Sequence, residues 1–248
     1  MKTTCSLLLA ICMSVGPLRA ALITWTSSPA VNALEVADEG TQVYGYAFSS
    51  TPGDNVAVNG VTFLRTNTTG PIAAANALTP GFERFGTDSF GEADDNFYLG
   101  PDPQLNQLLD GLTWGGTSEF QLTGLTDGQT YLVQIFSSDD RATQVNRVLD
   151  IDSSLLTPNG SRQLENIDYT AGGAWVDPAN RLKIFTGTFT ADGFSQEIRA
   201  ALIEPPGTAD GAGQIDLNAI QLRIIPEPSI AALLLGVFGV AGVLRRRP

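Results

Sequence analysis

The chain has 248 residues, with 14 Lys+Arg against 26 Asp+Glu, a net charge of −12, two cysteines and no histidine. Without histidine there is no Ser-His-Asp or Cys-His machinery and no His-ligated zinc, copper or iron site. The acid excess opposes binding to nucleic-acid phosphates and anionic lipid, and no glycine-rich phosphate loop or dinucleotide fingerprint supports nucleotide chemistry.

The first element is a leader. Lys2 supplies a positive charge, Leu7–Leu8–Leu9–Ala10–Ile11–Cys12–Met13 a short apolar run, Gly16–Pro17 a break and Ala20 a small residue. This layout predicts a secretory signal peptide over 1–20, cut after Ala20 or at the neighbouring Ala21, and too short to span a membrane. Both cysteines, Cys5 and Cys12, fall inside it, so the body has no disulfide, thiol nucleophile or thiolate metal site. Between Ala21 and Ile225, nine basic residues stand against 25 acidic ones, a net of −16.

The body, 21–224, is predicted to be a run of strands. Asn55–Val58 and Val61–Leu64 flank Asn59–Gly60, a hairpin signal because both turn positions need φ > 0. One short helix is predicted, capped by Asp102, begun by Pro103, apolar at Leu105, Leu108 and Leu109, and ended by Gly111. The turn Gly124–Gln129 leads into Tyr131–Phe136, where Tyr131, Val133 and Ile135 share a face. Further strands are read at Lys183–Thr190, Glu197–Ile203 and Ile215–Ile225. The last changes phase without a turn residue, which predicts a β-bulge near Ala219–Ile220. Many short strands with one helix predict an antiparallel β-sandwich, jelly-roll-like.

Candidate chemistry is sparse. Lys183, the body's single lysine, lies in a plain strand and is assigned no Schiff-base or Ser-Lys role. Glu83, Asp88, Glu92, Asp94 and Asp95 cluster in Gly81–Asp95, and glycoside hydrolysis requires two carboxyls across a sugar. Asp94–Asp95–Asn96, Asp139–Asp140 and Asp150–Ile151–Asp152 offer hard oxygens in loop-like places. Asp94, Asp95, Asp150 and Asp152 are therefore the ligands for Ca2+, beside the plainer reading of solubilising turn residues. No other cofactor is expected. Trp25 and Trp114 are strand-like and assigned to the core. Trp175, in Gly172–Gly173–Ala174–Trp175, is the loop aromatic for stacking on a sugar, with Asp139 and Arg141 as polar candidates, beside the plainer reading of a loop anchor and an ion pair.

Two resemblances add to this. Leu122–Asp139, Phe185–Asp192 and Ile215–Arg223 resemble strands of a recurrent surface-protein module related to carbohydrate-binding jelly rolls. At the C-terminus, Ser229–Leu244 has no charge. It is somewhat shorter than the about twenty apolar residues that span lipid. Its glycines Gly236, Gly239 and Gly242 suit a membrane helix, and Arg245–Arg247 make a cytoplasmic stop. Bilayer thinning and arginine snorkelling accommodate the short span. Pro226–Glu227–Pro228, then this helix, then Arg245, Arg246 and Arg247 resemble the PEP-CTERM sorting signal of exported bacterial proteins. Within 225–248 the resemblance implies recognition by an exosortase, processing near the motif and an exopolysaccharide-producing envelope.

The expectation is therefore an all-β protein with a signal peptide and a C-terminal transmembrane helix, body outside and C-terminus cytoplasmic before processing. It would be an envelope-anchored, non-catalytic surface or matrix protein with an exosortase, the membrane and extracellular polysaccharide as partners and no nucleic acid. The alternative is a carbohydrate-active hydrolase using acidic loop residues.

Overall fold

The computed structural model describes residues 21–29, 32–49, 54–66, 70–72, 81–85, 89–90, 101–115, 117–138, 147–152, 163–167, 182–203 and 215–226. The leader 1–20, the acids Asp94 and Asp95, the loop residues Asp139, Arg141 and Trp175, and the tail residues Glu227, Pro228 and Arg245–Arg247 lie outside the described residues. Among those described, no helix is long and apolar enough to cross a membrane.

In chain order the strands begin with β1 (Thr24–Pro29), β2 (Thr41–Phe48), β3 (Val56–Val58), β4 (Val61–Thr66), β5 (Gly70–Ile72), β6 (Gly81–Phe85) and β7 (Ser89–Phe90). The helix α1 (Pro103–Leu108) follows, then β8 (Thr113–Gly115), β9 (Thr117–Thr123), β10 (Thr130–Ser138), β11 (Arg147–Asp152) and β12 (Gln163–Ile167). The chain closes with β13 (Leu182–Thr190), β14 (Ser195–Ile203), β15 (Ile215–Leu217) and β16 (Ala219–Ile224). They form a seven-stranded sheet in the order β1-β13-β10-β16-β2-β4-β3 and a six-stranded sheet in the order β12-β11-β14-β9-β6-β5. A small third sheet, β15-β8-β7, accompanies them.

The all-β sandwich expected from the sequence is present in these two large sheets, with one departure from the antiparallel expectation: β2 and β4 pair in parallel. The Asn59–Gly60 turn explains it. Asn59 has φ 49 and Gly60 φ 75, so β3 and β4 close as a two-residue hairpin. β3 takes the reversal at the sheet edge, and β4 returns beside β2 running the same way.

The main core lies between the large sheets. Tyr131, Val133 and Ile135 of β10 and Phe185 of β13 meet Phe120 of β9, Ile151 of β11 and Ile198 of β14 there. A second core covers part of the other face of the seven-stranded sheet, where Phe136, Ile184 and Ala219 meet Phe63, Val58 and the helix. β10 is therefore buried on both faces, all of Tyr131–Ser138 being inside.

The helix forms where the sequence places it. Asp102 accepts from the N–H of Gln104 (2.8 Å) and Leu105 (3.3 Å), Pro103 occupies the first turn, and Leu105, Leu108 and Leu109 enter the second core. Gly111 does not end it. The C-cap is Leu109, and Gly111 is needed because a Cβ there would collide with the carbonyl of Phe48.

The phase change near Ala219 is also real but is no bulge. The run divides at Asn218: β15 belongs to the small sheet and β16 to the seven-stranded one. Leu217 enters the main core, Ala219 the second, and Ile220 and Leu222 the main core again. The register irregularity in this strand falls later, at Leu222/Arg223.

Candidate functional site

The two ends of the sandwich differ. Ser138 at the end of β10 lies opposite Leu182 at the start of β13. Val148 of β11 faces Ile203 at the end of β14, and Arg147 faces Ile167 at the end of β12. The segments 139–146, 168–181 and 204–214 therefore attach at one end. The predicted ligand residues Asp139, Arg141 and Trp175 sit on them, outside the described residues.

Beneath this end lies a buried polar network. Ser137, Ser138, Thr113, Asp216 and Asn218 are fully buried, and Lys183 nearly so. The Ser137 hydroxyl donates to the Asp216 carbonyl (2.5 Å), and Ser137 stands opposite Lys183 in register. Asn218 accepts from the Ser138 N–H (2.6 Å) and donates to the carbonyls of Leu109 (3.3 Å) and Gly111 (3.1 Å). Closed to solvent, the Ser137 and Asn218 bonds fasten strand ends together.

The acids predicted to lie in loops are partly relocated. Asp150 and Asp152 are in β11. Their neighbours Leu149 and Ile151 face the main core, so period-two alternation turns both carboxylates to the other face, where they are 3% and 2% exposed. Asp152 lies opposite Arg199 and Asp150 opposite Ala201. Glu83 likewise sits in a strand, β6, opposite Gln121. The β-branched and aromatic neighbours of these acids favour strand over loop. Among the described residues no group of three or more Asp, Glu, His or Cys converges as a metal site would require. Trp25 is in the main core as expected; Trp114 is in β8.

A polar ladder crosses the outer face of the seven-stranded sheet. Thr26, Thr186, Gln134, Gln221 and Gly45 stand in one row on five adjacent strands. Gln134 Nε2 donates to Thr186 Oγ1 (3.1 Å) and to the Glu35 carbonyl (3.3 Å), and Gln221 Nε2 donates to Gln134 Oε1 (2.6 Å) and the Ala37 carbonyl (3.1 Å). Beyond the row, the Arg223 guanidinium donates to the carbonyls of Asp38 (2.6 Å), Glu39 (2.6 Å) and Gly40 (3.2 Å). Burial pulls Arg223 below its ordinary pKa, against the opposing pull of Asp38 and Glu39. The row binds the segment 35–40 to the sheet. Its signal in the sequence is Gln134, Gln221 and Arg223 inside otherwise apolar strands, which periodicity alone does not interpret.

At the opposite end, an open groove of 410 Å³ is lined by Ala21, Leu22, Thr24, Thr130, Thr188, Phe189 and Thr190. Thr24 and Thr188 face each other across β1 and β13, Thr130 and Thr190 across β10 and β13, and the last pair's hydroxyls are 3.3 Å apart. Leu22 is 62% exposed. Ile225 also ends here: its N–H donates to the Thr130 carbonyl (3.0 Å) and its carbonyl accepts from Gln129 Nε2 (3.2 Å). The next residue, Pro226, is exposed.

No family model matches the chain, and no curated protein matches it. Among solved structures, the chain is similar to a Bacteroides uniformis beta-glucuronidase 2 at 16% identity and TM-score 0.43, covering 74% of this chain and 18% of that one. The ANXUR1 extracellular domain from Arabidopsis thaliana is similar at 10% identity and TM-score 0.40, covering 75% and 49%. An exo-beta-1,3-galactanase from Phanerochaete chrysosporium is similar at 15% identity and TM-score 0.29, covering 66% and 30%. The chain thus spans less than a fifth of the glucuronidase and about half of the ANXUR1 domain.

Proposed function

We propose that the protein is an exported, envelope-anchored, non-catalytic β-sandwich, a surface or matrix component that holds extracellular polysaccharide. The segment 225–248 serves as the sorting and anchoring signal, with an exosortase as processing partner. The observation that supports this is where the body stops. Among the described residues, β16 ends at Ile224, Ile225 makes the last backbone bond, and the exposed Pro226 opens the Pro-Glu-Pro triplet. Removal of everything beyond Pro226 therefore leaves β16 and its pairings to β10 and β2 whole. Ala21 and Thr130 line one groove and Ile225 bonds to Thr130, so leader and anchor attach at this end, opposite the end where Ser138 pairs with Leu182.

The test compares the full chain with a version ending at Pro226. The shortened protein is expected to keep its thermal unfolding midpoint and to leave the membrane fraction, and Glu227→Ala is expected to change the mass of the protein recovered from cells. Membrane retention without the tail would overturn the anchoring role. Release of reducing ends from polysaccharide by the purified full chain would overturn the non-catalytic reading.

A further inference from the structure

The geometry points to the threonine groove between β1, β13 and the start of β10 as a binding site for an uncharged glycan chain. The inference rests on the polysaccharide-holding reading and gives it a location. Three observations carry it. The lining has no acidic or basic side chain, in a chain whose net charge is −12, and removal of 1–20 would add a single charge there, the Ala21 amino group; the groove thus lacks the acid excess of the rest of the chain and suits a hydroxyl-rich neutral ligand. Thr24, Thr188 and Thr190 are exposed, and each presents a hydroxyl beside a methyl, matching the alternating O–H and C–H surface of a pyranose. The exposed Leu22 supplies an apolar wall against which a sugar face packs.

The placement is rigid. Thr24, Thr188 and Thr190 stand on paired strands in fixed register, and Gly187, next to Thr188, turns its face to Ile23 and Trp25 in the core. The nearest cation in register, Arg223 opposite Leu132, is turned to the carbonyls of Asp38, Glu39 and Gly40. It adds no side-chain charge to the groove.

Affinity electrophoresis of the full chain through gels containing dextran or a neutral β-glucan tests this, with Thr188→Lys, Thr24→Lys and Leu22→Asp as groove variants. Ala57→Lys, exposed on β3 at the far edge of the sheet, serves as control. Each altered side chain is exposed, and an unchanged unfolding midpoint confirms the fold. The expected result is retardation of the natural protein and the control, with roughly tenfold weaker binding in each groove variant. Equal retardation of all variants would overturn the groove while leaving the polysaccharide-holding reading in place. No retardation of the natural protein would overturn both.

Discussion

The side chain of Asn218 receives the backbone N–H of Ser138 at 2.6 Å, and through this contact one residue fixes the point where the chain changes sheets. The Asn218 backbone is used as well: its N–H donates to the Phe136 carbonyl (2.9 Å) and its carbonyl accepts from the Phe48 N–H (2.8 Å). Asn218→Ala would leave the Ser138 N–H and the Leu109 and Gly111 carbonyls short of their partner in a fully buried place. A loss of about 2–4 kcal/mol is expected in urea unfolding, because each buried unsatisfied group costs on the order of 1–3 kcal/mol. Asn218→Asp keeps the acceptor but turns a carboxylate oxygen toward two carbonyls, and is expected to be worse than alanine.

Arg223 gives a second prediction. Its planar fork meets three successive carbonyls, an arrangement a lysine ammonium reproduces poorly. Arg223→Lys and Arg223→Met are both expected to destabilise the fold, by about 1–3 kcal/mol. Hydrogen exchange supplies the specific readout. Amides of 37–40 should lose protection in both variants, and protection equal to that of the natural protein would contradict the clamp.

Gly187 is fixed by packing. A Cβ built there would stand 2.6 Å from Ile23 Cγ2 and 2.7 Å from the Trp25 ring. Gly187→Ala should therefore cost about 1–3 kcal/mol as an overpacked core. Gly60→Ala makes the contrast: nothing lies within 4 Å of its Cβ, and its cost comes from φ +75 alone. Thermal unfolding of both variants separates crowding from backbone strain.

Asp102 predicts an acid dependence. Burial opposes its charge, but the N–H groups of Ala33, Gln104 and Leu105 outweigh that and hold the carboxyl below its ordinary pKa. A depressed folded pKa stabilises above the unfolded value of about 3.9 and is lost as pH falls through the folded one. Asp102→Ala should cost about 1 kcal/mol at neutral pH. The gap between the two proteins should close as the pH falls below the ordinary carboxylate range. A gap constant with pH would show that the charge plays no part.

Tyr44 predicts the alkaline counterpart. Burial, then the neighbouring Tyr46 and Tyr131, push its phenol well above its ordinary pKa. A raised folded pKa means full stability below the unfolded value of about 10 and loss as pH rises beyond it, since only the unfolded chain releases the proton. Tyr44→Phe keeps the ring near Tyr46, 5.3 Å away between centroids, and removes the titration. Its alkaline unfolding midpoint is expected to move to higher pH.

Local chemistry made several elements legible in advance. Asn59–Gly60 specifies its hairpin because few residues tolerate φ > 0 twice in succession. Asp102–Pro103 with Leu105, Leu108 and Leu109 specifies a capped helix and its buried side. The alternation of Tyr131, Val133 and Ile135 specifies one face of β10. Each of these signals resides in a few neighbouring residues.

Where strands pair was decided elsewhere. Nothing near Val61 states that β4 runs parallel to β2, nothing near Asp150 that its strand is covered on both sides, and nothing near Gly111 that the Phe48 carbonyl lies against it. Ile215–Ile225 showed its change of phase, but only Ser138, Leu109 and Gly111, far away in the chain, explain why Asn218 is the pivot. The sequence by itself determined turns, caps and the apolar periodicity, since these depend on backbone sterics and nearest neighbours. The tertiary structure alone decided the polar row, the buried network and the threonine groove, because hydrogen bonds and cavities arise between residues that only folding brings together.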